Sequence, residues 1–329
     1  MSESVTKAPV DTDPVTIESE AASSSHRILF AIIAVLLVVA PFVAYPVFVM
    51  KLLCFALFAM AFNLLLGYGG LLSFGHAAYF GMASYISAYT ALHWNLNPEF
   101  AILLGTLGAL VLGAVFGAVA IRRTGIYFAM ITLALAQMVY FFCLQATGFT
   151  GGEDGIQGVP RGHLFGVFDL HNDLTLYVVV AVVFLAGFAI IYRVIHSPFG
   201  QVLKAIRENE PRAISLGYRT SRYKFVVFVL SATLSGLAGA TKAIVFQLAS
   251  LTDVGLGTSG EVVLMTLIGG MGTVLGPIVG AGVIVGMSNY LASLGGWVTV
   301  VQGVVFVVCV LLFREGIVGV LNKYAKTKF

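Results

Sequence analysis

The chain contains 329 residues, of which 59% are hydrophobic and 10% are charged, and its formal net charge is +3. Soluble domains carry roughly 25% charged residues, because polar groups must cover their surface. The composition therefore excludes a soluble enzyme, a nucleic-acid-binding protein and a disordered protein. The three cysteines, Cys54, Cys143 and Cys309, lie in apolar runs without paired spacing, which predicts core residues rather than a disulfide or metal site.

The first 26 residues are polar, rich in serine and acidic. They lack the basic start and the short apolar core of a signal peptide. We therefore expect 1–26 to be a disordered cytoplasmic tail.

Long apolar runs follow, each near the length needed to cross roughly 30 Å of hydrocarbon. They predict an all-α polytopic membrane protein with a transmembrane domain at 27–313 and a second cytoplasmic tail at 314–329. In the last part of the domain, Gly269–Pro277 is either a loop between two spans or a re-entrant turn. The predicted spans are 27–46, 47–66, 74–92, 99–121, 126–145, 174–195, 223–246, 259–276, 277–294 and 297–313.

The distribution of charge predicts the orientation. With ten crossings, fifteen of the eighteen Lys and Arg residues fall on the side of the two tails, and only Lys51, Arg161 and Lys242 fall opposite. Because cytoplasmic loops carry the excess of basic residues, both termini are expected in the cytoplasm.

The spans contain few ionisable residues, and those lie near span ends. Since intramembrane charges usually mark ion or proton pathways, a pathway for a neutral or zwitterionic solute is favoured. No Gly-Lys pair of a phosphate-binding P-loop occurs, so we expect no cofactor on this chain, and ATP and Mg²⁺, if used, on another subunit. The deep polar residues are neutral: Asn63, Gln137 and His76.

The largest cytoplasmic loop, 197–224, has the pattern of two short helices. Ser197 can cap the first, with Pro198 at its first position, and Pro211 begins the second. Gly217 suits the left-handed residue that ends it. Such an element either docks on a partner or is a solvated connector whose basic residues only set the topology.

Two glycine-rich stretches occupy corresponding places in the two halves, 67–85 and 267–289. Broken helices in matching positions often mark a transport pathway, whereas small residues four apart, as in Gly282 and Gly286, often serve helix packing. For Gly69, Gly70, Gly269 and Gly270 we favour a kink or break.

Five segments together carry a family resemblance. They are NLLLGYGGLLSFGHAAYFGMASY (63–85), RRTGIYFAMITLALAQ (122–137), TGGEDGI (150–156), the loop 197–224 and LIGGMGTVLGPIVGA (267–281). In this order the chain resembles, over roughly 28–313, the LivM-type permease subunits of branched-chain amino acid ABC importers. It departs from the family at its end, FREGIVGVL (313–321), and in its acidic tail.

The resemblance implies an importer in which this chain, which is not itself an enzyme, and a second, LivH-like permease form the channel in the bacterial inner membrane. Two cytoplasmic LivG/LivF-like ATPases would drive it, and a periplasmic binding protein would deliver the solute. The family also transports urea, amides and organic or aromatic acids, so these solutes stay open. An ATP-independent secondary transporter is the alternative class, which the few intramembrane carboxylates disfavour.

By the same resemblance, 197–222 is the coupling loop on the ATPase. The expected coupling residues are Ala205, Ile206, Arg207, Glu208, Leu216 and Gly217. Glu153 and Asp154, in the longest outer loop, are expected to meet the binding protein, with a gate or a purely structural turn as the alternative role of this segment. The expected substrate path is lined by Asn63, Gly69, Gly70, His76, Gln137, Gly269 and Gly270, with helix packing as the alternative role for the polar members.

Overall fold

The structure of the protein is a computed structural model that describes residues 34–41, 44–164, 166, 168–292, 295, 297–312 and 316–325. The chain divides into two units, Met1–Tyr45 and Pro46–Phe329. In the first unit, residues 34–41 form helix α1. The predicted disordered tail and most of the first predicted span lie outside the described residues.

The second unit consists mainly of α-helices, and seven of them match predicted spans to within a few residues. Five are long and apolar enough to cross a membrane, namely α2 with its continuation to Tyr68, α4, α5, α7 and α10. The all-α polytopic architecture is therefore confirmed. The helices are α2 (Pro46–Asn63), α3 (His76–His93), α4 (Pro98–Ala120), α5 (Ile126–Gln145), α6 (Thr147–Thr150), α7 (Asp173–Ile195), α8 (Pro198–Glu208), α9 (Glu210–Ser215), α10 (Thr220–Phe246), α11 (Leu256–Gly269), α12 (Gly276–Tyr290), α13 (Trp297–Leu312) and α14 (Gly316–Ala325).

The region predicted as two full spans, 259–276 and 277–294, forms a short helical hairpin instead. Helices α11 and α12 contain 14 and 15 residues, or about 21 and 22 Å at 1.5 Å per residue, which is less than the bilayer core. The turn between them uses Gly270 and Gly272 with φ of 120° and 75°, a conformation that favours glycine. The structure therefore agrees with the re-entrant interpretation of this region.

Residues Gly316–Ala325, in the predicted C-terminal tail, form α14. A Cβ atom at Gly316 would lie 2.3 Å from Cα of Gly270, so the two backbones touch. This part of the predicted tail is thus packed against the α11–α12 turn.

Helix α10 lies at the centre of the unit, against α2, α3 and α4. A Cβ atom at Gly239 of α10 would be 1.9 Å from the carbonyl oxygen of Phe80 in α3, and one at Gly236 would be 2.1 Å from Cβ of Ala109 in α4. Glycines let helix backbones approach this closely. Small residues therefore account for the tight packing around α10.

The unit has two ends, which we call the α8 face and the loop face. The α8 face carries α8, α9, the C-terminal end of α7 and the N-terminal end of α10. The loop face carries the segment 151–172 with three strands, β1 (Ile156–Gln157), β2 (His163–Leu164) and β3 (Phe168–Asp169), and β4 (Leu248–Ala249) after α10. Strand β1 pairs antiparallel with β4, and β2 with β3; neither ladder was predicted.

Candidate functional site

The end of α2 is joined to the α11–α12 turn by one side chain. Asn63 is 3% exposed; its Nδ2 donates to the carbonyl oxygen of Thr273 at 2.9 Å, and its Oδ1 accepts from the backbone N–H of Gly272 at 3.0 Å. A Cβ atom at Gly67 would lie 2.2 Å from this Oδ1 and 2.6 Å from the Gly272 nitrogen. The two predicted helix breaks therefore meet in space, and glycine at Gly67 makes the contact possible.

A second side chain reaches the same place from the α8 face. Nη1 of Arg207, in the last turn of α8, donates to the carbonyl oxygen of Gly67. A Cβ atom at Gly70, which has φ of 67°, would be 3.0 Å from Cγ of Arg207, and one at Gly272 would be 3.2 Å from its Nη1. Carbonyl groups at a helix end lack intrahelical partners and attract cations. Arg207 thus provides a hydrogen-bond donor for the end of the α2 continuation, and it lies beside both breaks.

We call this group the junction and define it as Asn63, Gly67–Gly70, Arg207 and Gly270–Thr273. Lys204, one turn before Arg207, adds a cation–π contact to Tyr68, with Nζ at 5.6 Å from the ring centroid. Within the junction, Gly270 is the residue that ends α11. The predicted path residues Asn63, Gly69, Gly70 and Gly270 are brought together here with a predicted coupling residue.

Helices α8 and α9 form as the sequence predicts. Ser197 accepts a hydrogen bond from the Gly200 N–H at 3.3 Å as the cap of α8, and Gly217 has φ of 88° after α9. The second helix begins at Glu210, capped by Asn209, whose Oδ1 accepts from the Arg212 N–H at 3.0 Å. Capping of this kind contributes about 1 kcal/mol per helix.

This element is fixed to the transmembrane helices at two points. Besides the contact from Arg207, Nζ of Lys224 in α10 lies 2.6 Å from Oε1 of Glu210 in α9. Leu203 and Ala213 are buried against the rest of the unit. Side-chain contacts therefore join the α8–α9 element directly to the end of α2 and to α10.

The predicted coupling residues divide between the two sides of this element. Ala205 and Glu208 are exposed, and Leu216 is 71% exposed. Ile206 is 2% exposed and packs inside the chain, because its position on α8 faces the transmembrane helices. The expectation that Ile206 meets a partner is corrected accordingly.

His76 lies at the start of α3, which begins beside Ser231, nearly midway along α10. Its Nε2 lies 2.9 Å from Oγ of Ser231 and its Nδ1 lies 3.1 Å from Oγ of Ser73. The side chain is completely buried. The His76 side chain therefore links the N-terminal end of α3 to the middle of α10.

The N–H groups near the start of α3 are also taken up within the chain. Phe74 donates to Oγ1 of Thr132 at 3.2 Å, and Ala77 donates to Oγ of Ser259 at 3.2 Å. The N–H groups at a helix start have no partner within the helix and could otherwise bind a solute. In the structure, hydroxyl side chains satisfy these N–H groups, so this break does not present them to the path.

The remaining predicted path residues lie apart from the junction's polar contacts. Gln137 is partly exposed on α5, and we find no hydrogen bond of its side chain among the described residues. A Cβ atom at Gly269 would be 1.9 Å from the carbonyl oxygen of Gly276, so this glycine serves close packing of α11 on α12.

On the loop face, Glu153 and Asp154 are both exposed. The loop that carries them is anchored by Arg161, which lies 2.9 Å from Asp173 and donates to the carbonyl oxygen of Val245 at 3.1 Å. Nearby, hydrogen bonds from the backbone and side chain of His171 hold the pKa of Asp169 below its usual value. The two predicted docking carboxylates are thus presented on an anchored surface.

Sequence reasoning missed a buried ion pair. Nζ of Lys242 in α10 lies 2.6 Å from Oδ2 of Asp253, and both side chains are about nine-tenths buried. Asp253 also accepts from the Ser250 N–H at 3.2 Å. Two opposite charges eleven residues apart could have indicated an ion pair. The sequence, however, placed Lys242 in a predicted span and Asp253 in the loop after it, and only the fold shows that they meet.

In the described part of the chain, no group of three or more His, Cys, Asp or Glu side chains is arranged to hold a metal ion.

Comparison with known proteins assigns the chain to a family. The family model described as branched-chain amino acid transport system / permease component matches residues 46–313. The LivM permease protein of the high-affinity branched-chain amino acid transport system of Escherichia coli K12 is 24% identical over 296 residues, covering 83% of this chain and 70% of the relative. LivM of Salmonella typhimurium LT2 gives the same identity and coverage.

A second group of relatives carries a different substrate name. The ribose import permease protein RbsC of Escherichia coli K12 is 29% identical over 232 residues, covering 65% of this chain and 70% of the relative. No solved structure shows a significant match. The family match includes the whole junction and the α8–α9 element, and the chain therefore belongs to the branched-chain amino acid transport system permease family.

Proposed function

We propose that the chain is one of two permease subunits of an ATP-driven importer for branched-chain amino acids in the bacterial inner membrane. The observation that carries the proposal is the contact of Arg207 with Gly67, since it links an exposed helical element to both helix breaks. In such an importer the energy comes from other subunits, two cytoplasmic ATPases that bind ATP and Mg²⁺. This chain contributes to the solute path, and the ATPases move its α8–α9 element.

The orientation supports this arrangement. Most of the Lys and Arg residues in the described part of the chain belong to segments of the α8 face, including the exposed Arg122, Arg212 and Arg222. The positive-inside rule then places this face in the cytoplasm, where ATPases bind. The loop face, with Glu153 and Asp154, lies in the periplasm, where a binding protein docks.

The mechanism we propose is alternating access. Closure of the ATPase dimer displaces α8, Arg207 carries the displacement to the Gly67 carbonyl, and Asn63 carries it on to the α11–α12 turn. Two short helices that meet at a glycine turn are able to shift without exposing backbone groups to lipid, because their polar groups are satisfied within the chain. The path lies between this chain and a second, LivH-like permease.

The extent of the family relationship supports branched-chain amino acids as the solute. The LivM protein of Escherichia coli K12 matches 83% of the chain, against 65% for the ribose permease of the same bacterium. Reconstitution with the partner permease, ATPases and binding protein, followed by competition of leucine uptake with ribose, urea and aromatic acids, tests the assignment. Uptake that is insensitive to vanadate would instead indicate a secondary transporter.

Coupling through α8 is tested by placing a charge on its exposed surface. Ala205→Glu should abolish leucine-stimulated ATP hydrolysis in the reconstituted importer while leaving membrane insertion intact. Asn97→Asp, which adds the same charge at the exposed cap of α4, should behave like the parent. Normal uptake and stimulated hydrolysis in Ala205→Glu would rule out docking at this surface.

Docking of the binding protein at Glu153 and Asp154 predicts a salt-dependent interaction. Replacing both by Lys should weaken association with the binding protein at low salt and have less effect at high salt. Equal association of parent and variant at low salt would assign these residues a structural role only.

A further inference from the structure

At the α8 face, the C-terminal end of α4 and the N-terminal end of α10 enclose a groove of about 470 Å³. Its walls are apolar, and its lining includes two arginines, Arg122 in the turn that follows α4 and Arg222 in α10. The other lining residues are Gly117, Ala118, Ile121, Ser221, Phe225 and Val226.

Within the described residues, neither arginine has an acidic partner. None of the five salt bridges found among the described residues uses Arg122 or Arg222. Nε of Arg122 donates to the carbonyl oxygen of Ala118 at 3.2 Å, which leaves the Nη groups of Arg122 available. Paired guanidinium groups of this kind suit a phosphate, because each offers several donors in a fixed plane.

The groove also continues onto a surface suited to acyl chains. Val226 is 50% exposed at its wall, and Val119 and Val115 of α4 are 49% and 56% exposed above it, in the direction of the bilayer centre. A ligand with a phosphate at the membrane surface and an apolar tail along the helices matches both features. Basic pockets between transmembrane helices bind such headgroups.

We propose that this groove binds the headgroup phosphate of an anionic phospholipid, with one acyl chain along α4 and α10. The site is separate from the junction, since none of the groove residues belongs to it. It gives the permease a dependence on membrane composition that the transport cycle itself does not require.

The experiment is native mass spectrometry of the full-length chain released from detergent, with phosphatidylglycerol or phosphatidylcholine added. We expect phosphatidylglycerol to bind more tightly, and Arg122→Gln/Arg222→Gln to weaken its binding by about fivefold per arginine. Val226→Trp, which fills the groove and keeps both charges, should also weaken it. The control, Arg193→Gln/Arg212→Gln, removes two exposed arginines of the same face that lie outside the groove and should bind like the parent.

Equal binding of the two lipids, or unchanged phosphatidylglycerol binding in both groove variants, would overturn the proposal. Displacement of the lipid by millimolar inorganic phosphate would also overturn it, because it would identify a site for a free anion instead.

Discussion

Asn63 shows how one amide side chain holds two chain breaks together. Its Nδ2 donates to the carbonyl oxygen of Thr273, and its Oδ1 accepts from the N–H of Gly272. Both partners are more than 200 residues away in the sequence. A buried amide in a membrane span was predicted either to line the path or to bond neighbouring helices. Its contacts agree with the second role, which in turn positions the junction.

Replacing Asn63 by Leu should destabilise the chain by about 1–3 kcal/mol, because the N–H of Gly272 and the carbonyl of Thr273 lose their partner. Thermal unfolding in detergent measures the effect. Gln137→Leu is the matched control, since the Gln137 side chain forms no hydrogen bond in the described part of the chain, and it should unfold like the parent. Equal losses in the two variants would contradict the assignment.

The ion pair of Lys242 and Asp253 predicts a non-additive pattern. Lys242→Met leaves a buried carboxylate unpaired and should cost about 3–5 kcal/mol, whereas Lys242→Met/Asp253→Leu should recover part of this loss. Recovery is incomplete because Asp253 also accepts from Ser250. The same thermal assay measures both variants; a double variant less stable than the single one would argue against the pair.

Among the elements, the α11–α12 hairpin depends most on glycine. Met265 and Gly280 are packed so closely that a Cβ atom at Gly280 would lie 1.8 Å from the Met265 carbonyl oxygen. Gly282 and Gly286, on the same helix, have no atom within 4 Å of such a Cβ. The glycines of α12 thus serve different purposes, although the sequence presents them as one pattern.

Gly280→Ala should destabilise the chain by about 1–3 kcal/mol, since backbone atoms must move to make room. Gly282→Ala should be neutral or stabilising by up to about 1 kcal/mol, because alanine favours the helix. The unfolding temperatures of the two variants in detergent measure this difference in stability. If Gly280→Ala is as stable as Gly282→Ala, the hairpin is looser than described.

Local patterns account for the elements that were predicted well. The caps of α8 and the end of α9 depend on Ser197, Pro198 and Gly217, which act within a few residues of themselves. The long spans follow from apolar length alone. What the sequence could not reveal are contacts between distant segments, such as Arg207 with Gly67, or the burial of Ile206.

In the molecule as a whole, side-chain contacts connect the exposed α8–α9 element to the two helix breaks. The α8–α9 element contacts α2 through Arg207 and α10 through Lys224, and α2 contacts the α11–α12 turn through Asn63. We expect a displacement of α8 by the ATPases to reach both breaks by this route.

The most direct test is thiol labelling at Leu72→Cys and Met271→Cys, two positions near the breaks that are 36% and 45% exposed. The assembled importer, lacking the three native cysteines, is treated with a small water-soluble reagent in nucleotide-free and ATP-trapped states. We expect labelling to differ between the two states, and Arg207→Gln to remove the difference while the ATPases still bind. Identical labelling in both states, or a difference that persists in Arg207→Gln, would contradict this expectation.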